Sequence, residues 1–282
     1  MRRRVIKDEN SSTPVGGVVT VTFDDNDASA VLVGEGDNSW IKGKRCLAKP
    51  QTDGSVSICY LDDNNSELFH DGTVADLSGA QGQWMTDIPE YWFNVDESTE
   101  GIHKLSISPV EIEGWNHSRR VLVGVTEAVN VNGMLWSRKT DTESSTSNLT
   151  SVVFHNYANA IGNGWDIIDY ETHCKIGHLF YCKYLNRDCQ TVIGAGENNY
   201  NRIIGTTSTL GNNDGATSTQ ISFLGIEDAW GGKFELMGGI HRNSETVYIY
   251  DGFVPNSIPT VEYRTETIPY GSNGCITKMK WG

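Results

Sequence analysis

Apolar and polar residues alternate with a period of two along several short stretches, the pattern of strands that bury one face. Val19-Thr20-Val21-Thr22-Phe23 and Val56-Ser57-Ile58-Cys59-Tyr60-Leu61 are such runs, and each ends in an acidic turn, Asp24-Asp25-Asn26-Asp27 and Asp62-Asp63-Asn64-Asn65. Tyr91-Trp92-Phe93-Asn94-Val95, His103-Lys104-Leu105-Ser106-Ile107 and Val121-Leu122-Val123-Gly124-Val125 predict further strands. So do Thr246-Val247-Tyr248-Ile249-Tyr250 and Ile276-Thr277-Lys278-Met279-Lys280-Trp281 near the end of the chain. In the middle the period becomes helical. Val152, Val153, Phe154, Tyr157, Ala158 and Ile161 predict a short amphipathic helix stopped by Gly162-Asn163-Gly164. A longer helix is expected after Asp169, a competent N-cap, with Glu171 complementing the dipole in the first turn. Tyr170, Cys174, Gly177, Tyr181 and Tyr184 recur at steps of four and three and read as its core-facing stripe. Residues 194–220, rich in Gly, Asn, Thr and Ser, predict a long loop. Strands, two central helices and strands again predict an α+β fold with an antiparallel sheet.

Composition narrows the class. With 38% hydrophobic and 21% charged residues over 282 positions, the chain is neither a low-hydrophobicity disordered sequence nor a membrane protein. Its 36 acids against 22 bases give a net charge of -14. Four of those bases, Arg2, Arg3, Arg4 and Lys7, lie in the first seven residues, leaving 18 bases against 36 acids in the rest. So acidic a body repels phosphate backbones and argues against nucleic acid as a partner. The basic start runs into Lys7-Asp8-Glu9-Asn10 without the apolar stretch of a secretory signal, so synthesis in the cytoplasm without a signal peptide is expected. Residues 1–16 read as a flexible arm, closing on Ser11-Ser12-Thr13-Pro14 and Gly16-Gly17. The six cysteines are too scattered for a small disulfide framework and read as free thiols.

Candidate chemistry is sparse. Cys174, His178 and Cys182 share a helix face and have ligand character suited to zinc, but from i to i+8 a helix rises about 12 Å, too far for one ion. Core thiols beside a half-buried histidine is the simpler reading. The acidic turns and Asn212-Asn213-Asp214 carry oxygen ligands suited to calcium, yet none follows the twelve-residue calcium loop, and turns need Asp and Asn for conformational reasons. No nucleophile elbow, zinc-protease motif, phosphate loop or dinucleotide fingerprint is present. No catalytic residue, metal ligand or cofactor is therefore assigned. The most informative stretch is Phe223 to Met237, where Gly231-Gly232 lies between aromatic residues and Glu235 sits between Phe234 and Leu236.

Gly225-Ile226-Glu227-Asp228-Ala229-Trp230-Gly231-Gly232-Lys233-Phe234-Glu235-Leu236 resembles the Gly-Leu-x-Asp-Met-x-Gly-Asn-x-x-Glu-Trp segment of the formylglycine-generating-enzyme-like branch of the C-type lectin fold. Upstream, Gly164-Trp165-Asp166-Ile167-Ile168-Asp169-Tyr170-Glu171 is similar to that family's Arg-Leu-Pro-Thr-x-x-Glu-Trp helix start. The resemblance implies a C-type-lectin-like domain over residues 85–282, behind a β-rich attachment region over 17–84. It does not extend to the family's oxidase chemistry, which relies on a cysteine pair near the C-terminus where this chain has Cys275 alone. Val254-Pro255-Asn256 likewise lacks the carboxylate or amide that precedes proline in calcium-dependent sugar sites.

The resemblance then implies a rigid display platform of the major tropism determinant type. The whole sequence, including Ile58 to Asn65 and His155-Asn156-Tyr157-Ala158, also resembles structural proteins of phages and prophages of gut Bacteroidales. The expected function is a non-enzymatic, phage tail-associated receptor-binding protein located in the virion. Its expected partners are a host cell-surface glycan or protein and other tail proteins, with no membrane insertion. A homotrimer is expected by analogy with tail fibres. Ligand binding is assigned to Tyr248, Tyr250, Asp251, Asn256, Tyr263, Tyr270, Asn273 and Trp281, where aromatic area and amide hydrogen bonding combine. The alternatives are a purely structural tail, baseplate or collar subunit, a bacterial surface adhesin, or a tail-borne enzyme acting through Cys275, His241 and Glu235.

Overall fold

A computed structural model describes residues 2–5, 17–142, 145–197, 203–231, 236–243, 246–249 and 264–267. The elements in chain order begin with β1 (Arg2–Val5), β2 (Val19–Asp24), β3 (Val33–Gly36), β4 (Lys44–Pro50), β5 (Val56–Tyr60), β6 (Gln83–Ile88), β7 (Tyr91–Thr99) and β8 (Ile102–Ser108). There follow β9 (Asn116–Ser118), β10 (Val121–Gly124), β11 (Val129–Val131), β12 (Met134–Trp136), α1 (Ser151–Asn159), β13 (Trp165–Ile167), α2 (Tyr170–Tyr184) and α3 (Cys189–Val192). After a 3-10 turn at Thr206–Leu210 come β14 (Gly215–Ala216), β15 (Ile221–Phe223), β16 (Ile226–Glu227), β17 (Ile240–Asn243), β18 (Thr246–Ile249) and β19 (Arg264–Thr267).

The architecture is α+β and strand-rich. A six-stranded sheet has the order β13-β1-β10-β6-β4-β5 and a five-stranded sheet the order β3-β2-β8-β7-β9. Pairing within both is antiparallel. Six of the strands expected from alternation are present, and Ile276 to Trp281 lies outside the described residues. Both helices expected from the sequence start at side-chain caps: Thr150 Oγ1 accepts from Val153 N, and Asp169 Oδ1 accepts from Thr172 N at 2.9 Å. No helix among the described residues is long and apolar enough to cross a membrane.

One apolar cluster joins the two sheets to α2. Val21 of β2 and Ile107 of β8 meet Ile88 and Val123 of the larger sheet, Leu179 and Phe180 of α2, and Phe223 and Ile226. The boundary expected between residues 84 and 85 falls inside β6, and strands from either side of it pair in both sheets. Within the segment expected to be an arm, residues 2–5 form a strand with β10 and β13 as neighbours. An arginine run has no apolar alternation to announce a strand; its backbone groups find partners on both flanks.

Two expectations about burial are corrected. The stripe Tyr170, Cys174, Gly177, Tyr181 and Tyr184 is only half-buried, whereas α2 buries Thr172, Lys175, Ile176, His178, Leu179, Phe180 and Cys182. Tyr181 meets Phe23 edge-on at 5.2 Å and Tyr184 gives its hydroxyl to Asp214, so these rings mark the rim of the interface. Residues 194–220 are not merely a loop, for Ile204, Thr207, Ser208 and Gln220 are buried.

Candidate functional site

The residues with the most chemical potential meet in the interior. Arg45 on β4 is fully buried and engages every guanidinium N–H. Nε donates to Gly225 O at 2.9 Å, Nη1 to Thr207 O at 2.6 Å and Ser66 Oγ at 3.3 Å, and Nη2 to Thr207 Oγ1 at 2.8 Å and Ser222 Oγ at 3.3 Å. The group lies 5.1 Å from the Trp84 ring centroid. Burial pushes Arg45 down to about 10, opposed by Glu227 and Asp214, so it remains a cation at neutral pH. Glu227 accepts from Gly205 N, Thr207 N and Gln220 Nε2. Thr207 Oγ1 connects the two charges, accepting from Arg45 and donating to Glu227 Oε2 at 2.9 Å.

This polar column explains the described part of the Phe223 to Met237 motif. Leu224 and Gly225, with φ of 51° and 75°, turn the hairpin between β15 and β16 inside the core. Asp214 Oδ1 accepts from Leu224 N at 2.8 Å and Thr86 Oγ1 donates to Leu224 O at 2.7 Å. A Cβ on Gly225 would stand 2.9 Å from Thr86 Oγ1 and 3.1 Å from Arg45 Cγ, which requires glycine. Trp230 Nε1 donates to Gly194 O at 2.8 Å, pinning the segment that follows. Glu235 lies outside the described residues.

A second buried group surrounds Lys175 on α2. Its Nζ donates to Arg119 O at 2.9 Å, stands 3.4 Å from Ser118 Oγ and sits 4.8 Å from the Tyr91 ring centroid. The Tyr91 hydroxyl lies 3.1 Å from His178 Nδ1. Burial pushes Lys175 down to about 7, against the pull of Glu171, Glu90 and Asp87. His178 is pushed down to about 4 by burial and by Lys175, which leaves a neutral imidazole at pH 7. A near-neutral amine beside a serine hydroxyl has the ingredients of a general base. Here the amine donates to a backbone carbonyl beneath an aromatic ring, so the arrangement clamps the β9–β10 connection onto α2.

The acids of the predicted turns do conformational work. Asp24 Oδ1 accepts from Asn26 N and Asp62 Oδ1 from Asn64 N, both Asx turns. Asp214 Oδ2 pairs with Lys183 Nζ at 2.6 Å and accepts from Tyr184 Oη at 2.7 Å. Among the described residues no group of three or more His, Cys, Asp or Glu side chains is placed to hold a metal ion. Of the three residues weighed for zinc, His178 faces Tyr91, and burial pushes the Cys182 thiol up, against the thiolate a metal needs.

The five-stranded sheet offers a different surface. Val19, Val21 and Phe23 point into the core, so Thr20 and Thr22 face the other way, and β2 alternates buried and half-buried along its length. Register carries that outward face across the sheet in rows. Glu35, Thr20, Ser106 and Asn94 stand opposite one another, and Trp92 stands opposite His117 on the edge strand β9. Trp92 and His117 stack with centroids 4.7 Å apart and planes 15° apart, and His117 Nε2 lies 3.0 Å from Glu90 Oε2. Thr20 Oγ1 and Ser106 Oγ share a hydrogen bond of 2.8 Å. An ordered aromatic pair next to a row of amide, hydroxyl and carboxylate groups can bind a polar ligand with an apolar face.

Of the residues predicted to bind, Tyr248 lies half-buried on β18, where its backbone pairs with His241 and Thr265. Tyr250, Asp251, Asn256, Tyr263, Tyr270, Asn273 and Trp281 lie outside the described residues. Trp92, His117, Asn94, Ser106, Thr20 and Glu35 were not predicted. For Thr20, Asn94 and Ser106 the signal is the set of polar positions facing away from the core on β2, β7 and β8, whereas Trp92 sits in a continuous aromatic run and Glu35 and His117 lie on β3 and β9, which no alternation announces. No protein-family model matches the chain, and neither a curated protein nor a solved structure matches it.

Proposed function

We propose that the chain is a phage tail-associated receptor-binding protein of the virion that adheres to a host cell-surface glycan or protein without catalysis. The observation that carries this reading is the outward face of the five-stranded sheet, where Trp92 and His117 stack beside Asn94, Ser106, Thr20 and Glu35. Rigid aromatic area with adaptable polar neighbours is the composition of a recognition surface. A C-type-lectin-like body is supported by the buried hairpin at Leu224–Gly225 and by the capped α2 that follows the Trp165 to Glu171 segment. In such a body the Arg45–Glu227 column holds the display scaffold rigid. The terminal residues Tyr263, Tyr270 and Asn273 extend the same use of aromatic and amide groups.

Competition for adsorption tests the proposal. Gut Bacteroidales cells incubated with the purified full chain should lose phage adsorption in a dose-dependent way, and antibody should label the distal tail tip of intact particles. Adsorption unchanged at saturating protein, with label confined to the tail body, would identify a purely structural subunit.

A further inference from the structure

Successive rows of side chains cross the outward face of the five-stranded sheet, and their chemistry differs. One holds the stacked Trp92 and His117. The next holds Glu35, Thr20, Ser106 and Asn94, and the one beyond it Val33, Thr22, Lys104 and Asp96. At about 4.8 Å per strand, the row from Glu35 on β3 to Asn94 on β7 runs about 14 Å, longer than a single sugar ring. It carries a carboxylate, two hydroxyls sharing a hydrogen bond of 2.8 Å, and an amide, with no cation. His117 on β9 covers one face of the Trp92 indole and is held by Glu90, 3.0 Å from Nε2. The other face turns toward β8, the neighbour of β7 on that side, where Ser108 stands opposite Trp92 and Ser106 follows in the next row.

From this arrangement we propose that the face binds a neutral oligosaccharide, with one sugar ring stacked on the open side of Trp92 and the rest laid along the row toward Glu35. An aromatic wall beside hydroxyl and amide groups matches a ligand with one apolar face and many hydroxyls. Asn94 supplies both a donor and an acceptor, the Thr20–Ser106 pair keeps one donor and several lone pairs for the ligand, and Glu35 can accept from two adjacent hydroxyls. A protein partner would need a contiguous apolar centre, whereas the exposed Val33 lies on β3, three strand spacings from Trp92. Charge selects among glycans. Glu35, Asp96 and Glu90 stand on this face against Lys104, which is itself opposite Asp96, so an anionic sugar is repelled. The proposal rests on the reading of this face as the binding surface and narrows its ligand to glycans without sialic acid, uronic acid or phosphate.

Saturation-transfer NMR on the purified full chain tests this, with neutral galactose-, mannose- and N-acetylglucosamine-terminated oligosaccharides as probes and sialylated forms of the galactose-terminated ones. Ring C–H protons of a neutral sugar should receive saturation from the protein, and the signal should be lost in Trp92→Ala and kept in Trp92→Tyr. The sialylated form should bind at least about fivefold more weakly, the effect of one like charge about 4 Å away in water. Glu35→Gln, at an exposed position, removes a charge while keeping an acceptor and should bring the neutral and sialylated forms closer together. No saturation of any neutral sugar, saturation that survives Trp92→Ala, or a preference for the sialylated form would overturn the proposal. If neutral sugars bind through Trp92 but do not block phage adsorption, the glycan site stands and the receptor reading fails. If the chain blocks adsorption through Trp92 but binds no neutral sugar, the receptor reading stands and this ligand class fails.

Discussion

Replacing Arg45 by methionine is the sharpest perturbation of the interior. Methionine keeps apolar contact with Trp84 but removes five donors, depriving Gly225 O, Thr207 O and the hydroxyls of Thr207, Ser66 and Ser222 of their partner. It also leaves Glu227 buried with no opposing cation in the column. Removing one member of a buried charge pair costs roughly 3–5 kcal/mol, a large share of the ~5–15 kcal/mol that holds a domain together. Arg45→Lys keeps the charge but offers three donors where five are used, and a loss of about 1–3 kcal/mol follows for the acceptors left short. Guanidinium unfolding followed by tryptophan fluorescence gives both values, provided the slope of free energy against denaturant is unchanged. A loss below about 1 kcal/mol for Arg45→Met, with Arg45→Lys equal to the wild type, would refute the assignment of the column as the scaffold's anchor.

Stability should depend on pH through α2. Lys175 has a folded value of about 7 against an ordinary 10.5, so its contribution is complete above 10.5 and is lost as pH falls toward 7. Between pH 9 and 7 the loss is about 2 kcal/mol, and Lys175→Met should abolish that slope in paired denaturation curves. His178, about 4 against 6.5, adds a further loss as pH falls from 6.5 to 4, which His178→Phe should remove. Gly225→Ala should destabilise by about 1–2 kcal/mol from its positive φ alone and by more from the approach to Thr86, seen as a lower melting temperature. Asp169→Ala should cost about 1 kcal/mol by losing the cap of α2, while Asp169→Asn should retain most of it.

Much of the secondary structure was legible in the residues, because apolar alternation at β2, β5 and β8, the aromatic and aliphatic runs at β7 and β10 and the cap at Asp169 are local signals. Where polar residues serve the core, legibility ended. Lys175 and His178 sit on the buried face of α2 because Tyr91, Ser118 and Arg119 meet them from more than fifty positions away. Thr207 and Ser208 are interior for the same reason, with partners in Arg45 and Glu67. No window of sequence contains such pairs. The candidate surface was half legible: the strand through Trp92 and Asn94 follows from its aromatic, β-favouring run, but the stacking on His117 depends on β9 pairing beside it.

Binding of the full chain to intact host cells, compared with Trp92→Ala/His117→Ala at equal fold stability, is the most direct test of the surface on which the functional reading rests. Saturable wild-type binding that weakens at least about tenfold in the double variant, the scale of losing an aromatic anchor, is the predicted result. Equal binding by the two proteins, or no saturable binding by either, would contradict it.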